Sequence, residues 1–186
     1  MMPLWILLGV IGLAIAWAIA VYNALVGLRV RSEGAWSDIS VQLKRRYDLV
    51  PNLVETVKGY AGHEQKVFIQ VTEARSKAMQ ATGPKEKESA ENMLSGTLKS
   101  LFAVAENYPQ LRANENFMGL QKTLEEIEAA LQNSRRYYNA VVRDYNTKLQ
   151  VFPDQLVARA GGFQPKEFFQ LDSAEEAKTP KVSFSS

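Results

Sequence analysis

The chain has 186 residues, room for one ordinary domain and an anchor, and its charged residues are strong helix formers that favour helices over a sheet. A formal charge of +2 lacks the clustered basic excess of a nucleic-acid binder, so nucleic acid is not an expected partner. Cysteine is absent, which excludes disulfides, thiolate nucleophiles and cysteine-based metal sites.

No ionisable side chain occurs between Leu4 and Leu28, a stretch longer than the roughly 20 residues that cross a hydrocarbon core. After a short tip of residues 1–3, this predicts a transmembrane helix over 4–28. Trp5 and Tyr22 stand near its ends, where amphipathic rings favour the interface, and Arg29 and Arg31 close it, so these four are the expected anchor flanks. A helix buried in a soluble core would need a larger protein around it. A cleaved signal peptide is the sharper rival, since Ala16-Trp17-Ala18 and Ala18-Ile19-Ala20 resemble cleavage sites. Against cleavage, nothing basic precedes the run, and the run is long for a signal. Arg29, Arg31, Lys44, Arg45 and Arg46 follow the span and no Lys or Arg precedes it, which predicts a cytoplasmic soluble domain.

Four amphipathic segments follow, so residues 29–171 are expected to form a helical bundle. The first places Trp36, Ile39, Leu43, Tyr47, Val50, Val54, Val57 and Ala61 on one stripe that keeps its phase across Pro51. This suggests a kinked helix, with a full break and a new cap at Asp48 as the alternative. The second, from about His63 to Ala81, offers Val67, Val71, Ala74 and Ala78. The third opens at Pro84, with Glu86 and Glu88 near its positive end, and carries the seam Ala90, Leu94, Thr97, Leu101, Val104, Tyr108 and Leu111. The fourth, from about Asn114 to Phe152, carries Phe117, Leu120, Leu124, Ile127, Leu131, Ser134, Tyr138, Val141, Tyr145, Lys148 and Phe152 before Pro153 stops it. The predicted fold is therefore all-α: an N-terminal transmembrane helix, then an elongated, coiled-coil-like, antiparallel four-helix bundle. Residues 154–171 are too apolar to float free and should pack along the bundle. Residues 172–186 lack a stripe and read as a disordered tail.

No catalytic, cofactor or metal set emerges from the sequence. His63-Glu64 would need a second histidine where Val67 stands to make the zinc-protease pattern, and no phosphate loop, dinucleotide fingerprint or nucleophile elbow occurs. Glu125, Glu126 and Glu128 read as the wet face of a helix. Arg45, Arg46, Arg135 and Arg136 are the candidate patch for a lipid or protein partner; intramolecular pairing with Asp48, Glu55 or Asp144 is the favoured alternative. Tyr137, Tyr138 and Asn139 read as a polar layer that sets helix register.

Several long blocks carry a family resemblance. Tyr22-Asn23-Ala24-Leu25-Val26 leads to AWSDISVQLKRRYDLVPNLVETVKGYAGHE at 35–64 and NFMGLQKTLEEIEAALQNSRRYYNAVVRDYN at 116–146. Phe152-Pro153, Gly162-Phe163 and Phe168-Phe169 complete the set. Over nearly its whole length the chain resembles the LemA family of bacterial membrane-anchored helical proteins. The resemblance implies a soluble domain of four long helices behind the anchor, in the bacterial inner membrane, and no established enzymatic activity. It also implies a link, through a magnetosome-associated branch, to building or remodelling internal membranes. The expected role is a non-enzymatic scaffold that touches the lipid bilayer through its N-terminal helix and meets a protein partner, or itself, through the bundle. The alternatives are an adaptor for a membrane enzyme such as a protease or transporter and, last, an unrecognised hydrolase.

Overall fold

The computed structural model describes residues 4–170, all-α with no strand among them. The expected tip at 1–3 and the expected disordered tail at 172–186 lie outside the described residues. The helices are α1 (Leu4–Lys58), α2 (Gln65–Gln80), α3 (Gly83–Glu106), α4 (Pro109–Arg112), α5 (Glu115–Gln150) and α6 (Asp154–Ala160).

α1 is one uninterrupted helix of 55 residues, about 80 Å long at 1.5 Å per residue, with Pro51 inside it. Its proline forfeits one backbone bond, yet Val50, Leu53, Val54 and Val57 remain buried on a single face around it. Packing on both sides thus holds the helix together where propensity alone would break it. The buried seam advances in steps of three and four through Val21, Leu25, Ser32, Ala35, Ile39, Leu43, Arg46, Val50, Leu53 and Val57, with half-buried Leu28 filling the one gap. It begins before Arg29, within the apolar stretch.

α5 runs antiparallel to α1 along most of its length. Asn114 meets Tyr60 just beyond α1, Glu128 meets Arg46, Tyr138 meets Trp36, and Tyr145 shares a cluster with Val21 and Leu25. Asn114 caps α5 by accepting a hydrogen bond from the Phe117 amide at 3.0 Å, while its side-chain amide donates to the Tyr60 hydroxyl at 2.9 Å. The α2–α3 hairpin is shorter and covers the half of the α1–α5 pair that is far from the apolar end. Phe68, Val71, Ala74 and Ala78 face the core from α2, so Phe68 is added to the expected stripe and Val67 is half-buried. On α3 Leu94 and Leu101 are buried as expected, while Glu91, Leu98 and Ala105 are buried more deeply than the expected Ala90, Thr97 and Val104, which are half-buried, because α3 packs against α2 as well as toward α1.

Near the apolar end the hairpin no longer reaches, and the chain's last described residues take its place. α5 ends at Gln150, so Phe152 lies outside the helix and is 72% exposed, contrary to its expected seam position. α6 then turns back against α1 and α5. It ends in a C-terminal cap where the Phe163 amide donates to the Ala158 carbonyl and the Gly162 amide to the Arg159 carbonyl. Gly162 has φ +69°, and a Cβ on Gly161 would sit 2.7 Å from the Phe163 ring, so this reversal needs both glycines. Residues 163–170 continue as an extended strap along α5, which meets the expectation that the apolar C-terminal segment packs on the bundle.

Candidate functional site

Two constructions in the bundle hold polar groups away from water. The first is an ion network in the core. Arg46 is 2% exposed and its guanidinium reaches three groups: Glu91 at 2.7 Å, the Ser95 hydroxyl at 2.8 Å and Glu128 at 2.8 Å. The fully buried Glu91 carboxylate also accepts a hydrogen bond from the Tyr47 hydroxyl. Three helices, α1, α3 and α5, are joined by these few atoms. Glu91 holds two charged or polar donors in the dry interior, which is the condition for a buried charge to persist.

The electrostatics follow from the same geometry. Burial and the adjacent Glu91 carboxylate push the Tyr47 phenol far upward, so it stays a proton donor. Glu128 sits at the rim, its side chain 39% exposed; burial raises its carboxyl above the usual range while Arg46 pulls it back. Around the network, Arg75 donates to the Tyr47 carbonyl at 2.7 Å and Lys87 donates to the Ala78 carbonyl at 2.8 Å.

The second construction is a clasp on the strap. The Asn146 side chain accepts from the Lys166 amide at 2.9 Å and donates to the Lys166 carbonyl at 2.8 Å; Asn139 does the same to Phe169 at 2.9 and 2.8 Å. Beside them the Tyr145 hydroxyl donates to the Gln164 carbonyl at 3.0 Å and the Tyr138 hydroxyl to the Glu167 carbonyl at 2.8 Å. The strap's Phe169 is fully buried, edge-on to Trp36 at 5.4 Å, with the Arg135 guanidinium 5.7 Å from its ring centre. Lys166 pairs with Glu33 at 3.3 Å, Glu167 with Lys85 at 3.7 Å, and the Gln170 amide donates to Glu88 at 3.1 Å. The strap therefore ties α1, α3 and α5 together where α2 is missing.

The four candidate arginines have separate surroundings. Arg46 enters the ion network and Arg135 lies over Phe169, whereas exposed Arg45 bonds Gln42 at 3.1 Å and exposed Arg136 bonds Asn133. The partners of Arg46 are Glu91 and Glu128, in place of the expected Asp48, Glu55 and Asp144. Asp48 is exposed, Glu55 pairs with Lys58 at 3.7 Å and Asp144 with Arg143 at 3.9 Å. Of the acidic cluster read as a wet face, Glu125 and Glu126 are exposed and Glu128 turns toward Arg46. Among the expected anchor flanks, Trp5 is 81% exposed, Arg31 is exposed, Tyr22 meets the Phe163 ring at 5.4 Å, and Arg29 lies 5.7 Å from the same ring's centre.

Sequence reasoning missed Glu91 and Asn146, and it read Tyr145 only as a seam residue, not as a donor to the strap. Glu91 carries no local signal, because a glutamate on a helix is usually wet. The asparagines do carry one: the dipeptide Tyr-Asn recurs at 138–139 and 145–146, seven residues apart, which puts both pairs on one face. His63 is exposed at the α1–α2 turn, and no group of three or more metal-ligating side chains gathers among the described residues.

In comparison with known proteins, the sequence model of the LemA family matches residues 35–184. The chain is 24% identical over 188 residues to Magnetosome protein MamQ 2 of Paramagnetospirillum magneticum, covering 87% of this chain and 68% of that protein. It is 23% identical over 189 residues to Magnetosome protein MamQ of Magnetospirillum gryphiswaldense, covering 87% and 70%. To Protein LemA of Metamycoplasma hominis it is 25% identical over 157 residues, covering 82% and 70%.

Proposed function

Because the chain belongs to the LemA family, we propose that it is a non-enzymatic, membrane-anchored scaffold whose bundle organises partner proteins or shapes a bacterial membrane. One observation carries this reading: α1 passes without a break from an apolar stretch long enough to cross a membrane into the bundle core. A continuous helix transmits orientation, whereas a flexible linker would only keep the domain nearby. The buried polar groups of the core, Arg46, Glu91 and Tyr47, hold helices together. Relatives named as magnetosome proteins support the membrane-associated part of the reading.

The bundle is assigned to the cytoplasmic side of the inner membrane on the basis of Arg29 and Arg31. A compartment-sensitive reporter fused after Ser186 is expected to respond only as a cytoplasmic one, and activity only outside the cytoplasm overturns the orientation. For the role itself, crosslinking of the intact protein in membranes is the test. Self-assembly together with altered membrane morphology supports the scaffold. A single stoichiometric partner enzyme, with membranes unchanged, replaces it by the adaptor reading.

A further inference from the structure

The bundle overlaps the apolar stretch in height. Val21 and Leu25, which precede the first charge at Arg29, are buried under Tyr145 and Ala158, with Leu149, Val157 and Phe163 packed around them. Ala18, one turn earlier, is already half-buried. Crossing a hydrocarbon core takes about 20 residues, and every such window between Leu4 and Leu28 contains Val21. Whatever packs beside Val21 therefore lies at the bilayer boundary or inside it.

What packs there is α6 and the α5–α6 corner. This corner displays Val151 at 50%, Phe152 at 72% and Leu156 at 55% exposure, and α1 exposes Ile19 and Tyr22 on either side of the buried Val21. Its nearest charges neutralise each other: Lys148 and Asp154 are paired at 2.6 Å and both are largely covered. The tip from Leu149 to Pro153 is thus uncharged, while exposed Arg159 and Arg29 directly follow Ala158 and Leu28 of the same apolar cluster. An apolar tip backed by arginines is the composition of an interfacial membrane contact.

We propose that the α5–α6 corner is a second membrane contact, in which Val151, Phe152 and Leu156 bed into the interfacial layer of the leaflet that α1 leaves. This rests on the reading of α1 as the membrane span. Lipid is chosen over a protein occupant because the corner continues the lipid-facing surface of α1 at the same height. Two contacts on one rigid body fix the tilt of the bundle, which a single helix does not.

The chain has no cysteine, so single labels are clean. The full chain is reconstituted in phosphatidylcholine–phosphatidylglycerol vesicles with an environment-sensitive fluorophore on Phe152→Cys, and in parallel on Leu8→Cys and Val41→Cys. All three positions are exposed, so the labels leave the core intact. The expected result at 152 is blue-shifted emission, quenched more by lipids with a headgroup-level nitroxide than by a chain-end nitroxide. Position 8 should show the reverse depth order, and position 41 should stay aqueous. An aqueous label at 152 with a quenched label at 8 overturns the corner contact and leaves the anchor standing. An aqueous label at 8 overturns the anchor reading and the corner with it. A shift at 152 that grows with protein density and resists lipid nitroxides places a second copy there and also overturns the proposal.

Discussion

Asn139 and Asn146 stand one heptad apart on α5, and each grips a strap residue by both its backbone amide and its carbonyl. The gripped residues, Lys166 and Phe169, are three apart. Seven residues of helix rise about 10.5 Å and three extended residues cover about 10 Å, so the two repeats stay in register. The tyrosines follow the same rule, with Tyr145 on Gln164 and Tyr138 on Glu167. A heptad helix can thus read an extended chain with a period of three, through backbone groups alone.

Replacing Asn139 or Asn146 by Ala leaves two strap backbone groups without their protein partners. Each loss is expected to cost about 1–3 kcal/mol. Hydrogen exchange provides the check: the Lys166 and Phe169 amides should lose protection in the double variant while the α1–α5 core amides keep theirs. Phe169→Ala, which also empties a buried site, is expected to cost about 3–5 kcal/mol.

Arg46 and Arg45 are neighbours in sequence with opposite roles, so their variants should separate. Removing one side of the buried pair, in Arg46→Met or Glu91→Gln, is expected to cost about 3–5 kcal/mol, because the other charge stays in the core. Arg45→Ala should change stability by no more than about 0.5 kcal/mol. Denaturant unfolding in detergent, followed by far-ultraviolet circular dichroism, measures both. Equal losses at 45 and 46 would contradict the assignment of the network to Arg46.

The pH dependence around Glu128 has a definite sign. Its folded-state carboxyl is raised, so its contribution to stability is fully present below the ordinary carboxylate value near 4.3 and is lost as pH rises through the raised value. Glu128→Gln removes this term, so the wild type should lose stability relative to the variant as pH rises out of the ordinary carboxylate range. Glu86, which accepts from the Thr82 amide at 2.8 Å and hydroxyl at 3.0 Å, is lowered and acts oppositely: its contribution falls away as pH drops through the lowered value. Paired unfolding curves across the acid range distinguish the two directions.

Gly34 is the one glycine of α1 between the charges at Arg31 and the bundle core, and nothing lies within 4 Å of where its Cβ would be. Gly34→Ala is expected to raise stability by as much as about 1 kcal/mol through helix propensity alone. Thermal unfolding tests this, and a loss would mean that the helix needs freedom at this point.

Much of the architecture was legible from spacing. The apolar run and the period of the α1, α2 and α5 seams follow from local patterning, because each helix must turn one stripe inward whatever it packs against. Continuity through Pro51 was legible as phase, although the choice between a kink and a break was settled by burial on both sides. The expected α3 seam held at Leu94, Leu101 and Leu111, but Leu98 and Ala105 are buried more deeply than the expected Thr97 and Val104, since they serve a neighbour that periodicity does not identify.

By itself the sequence determined that the chain is helical, that its first segment suits a bilayer, and where α2 and α5 begin and end to within about a turn. Only the tertiary structure decided which charges are spent inside: Arg46 pairs across 45 residues with Glu91, and two asparagines bind a segment some 20 to 30 residues away. Local periodicity reports how a side chain faces its own helix axis. Its partner is set by how distant helices align, and that depends on packing the whole bundle at once.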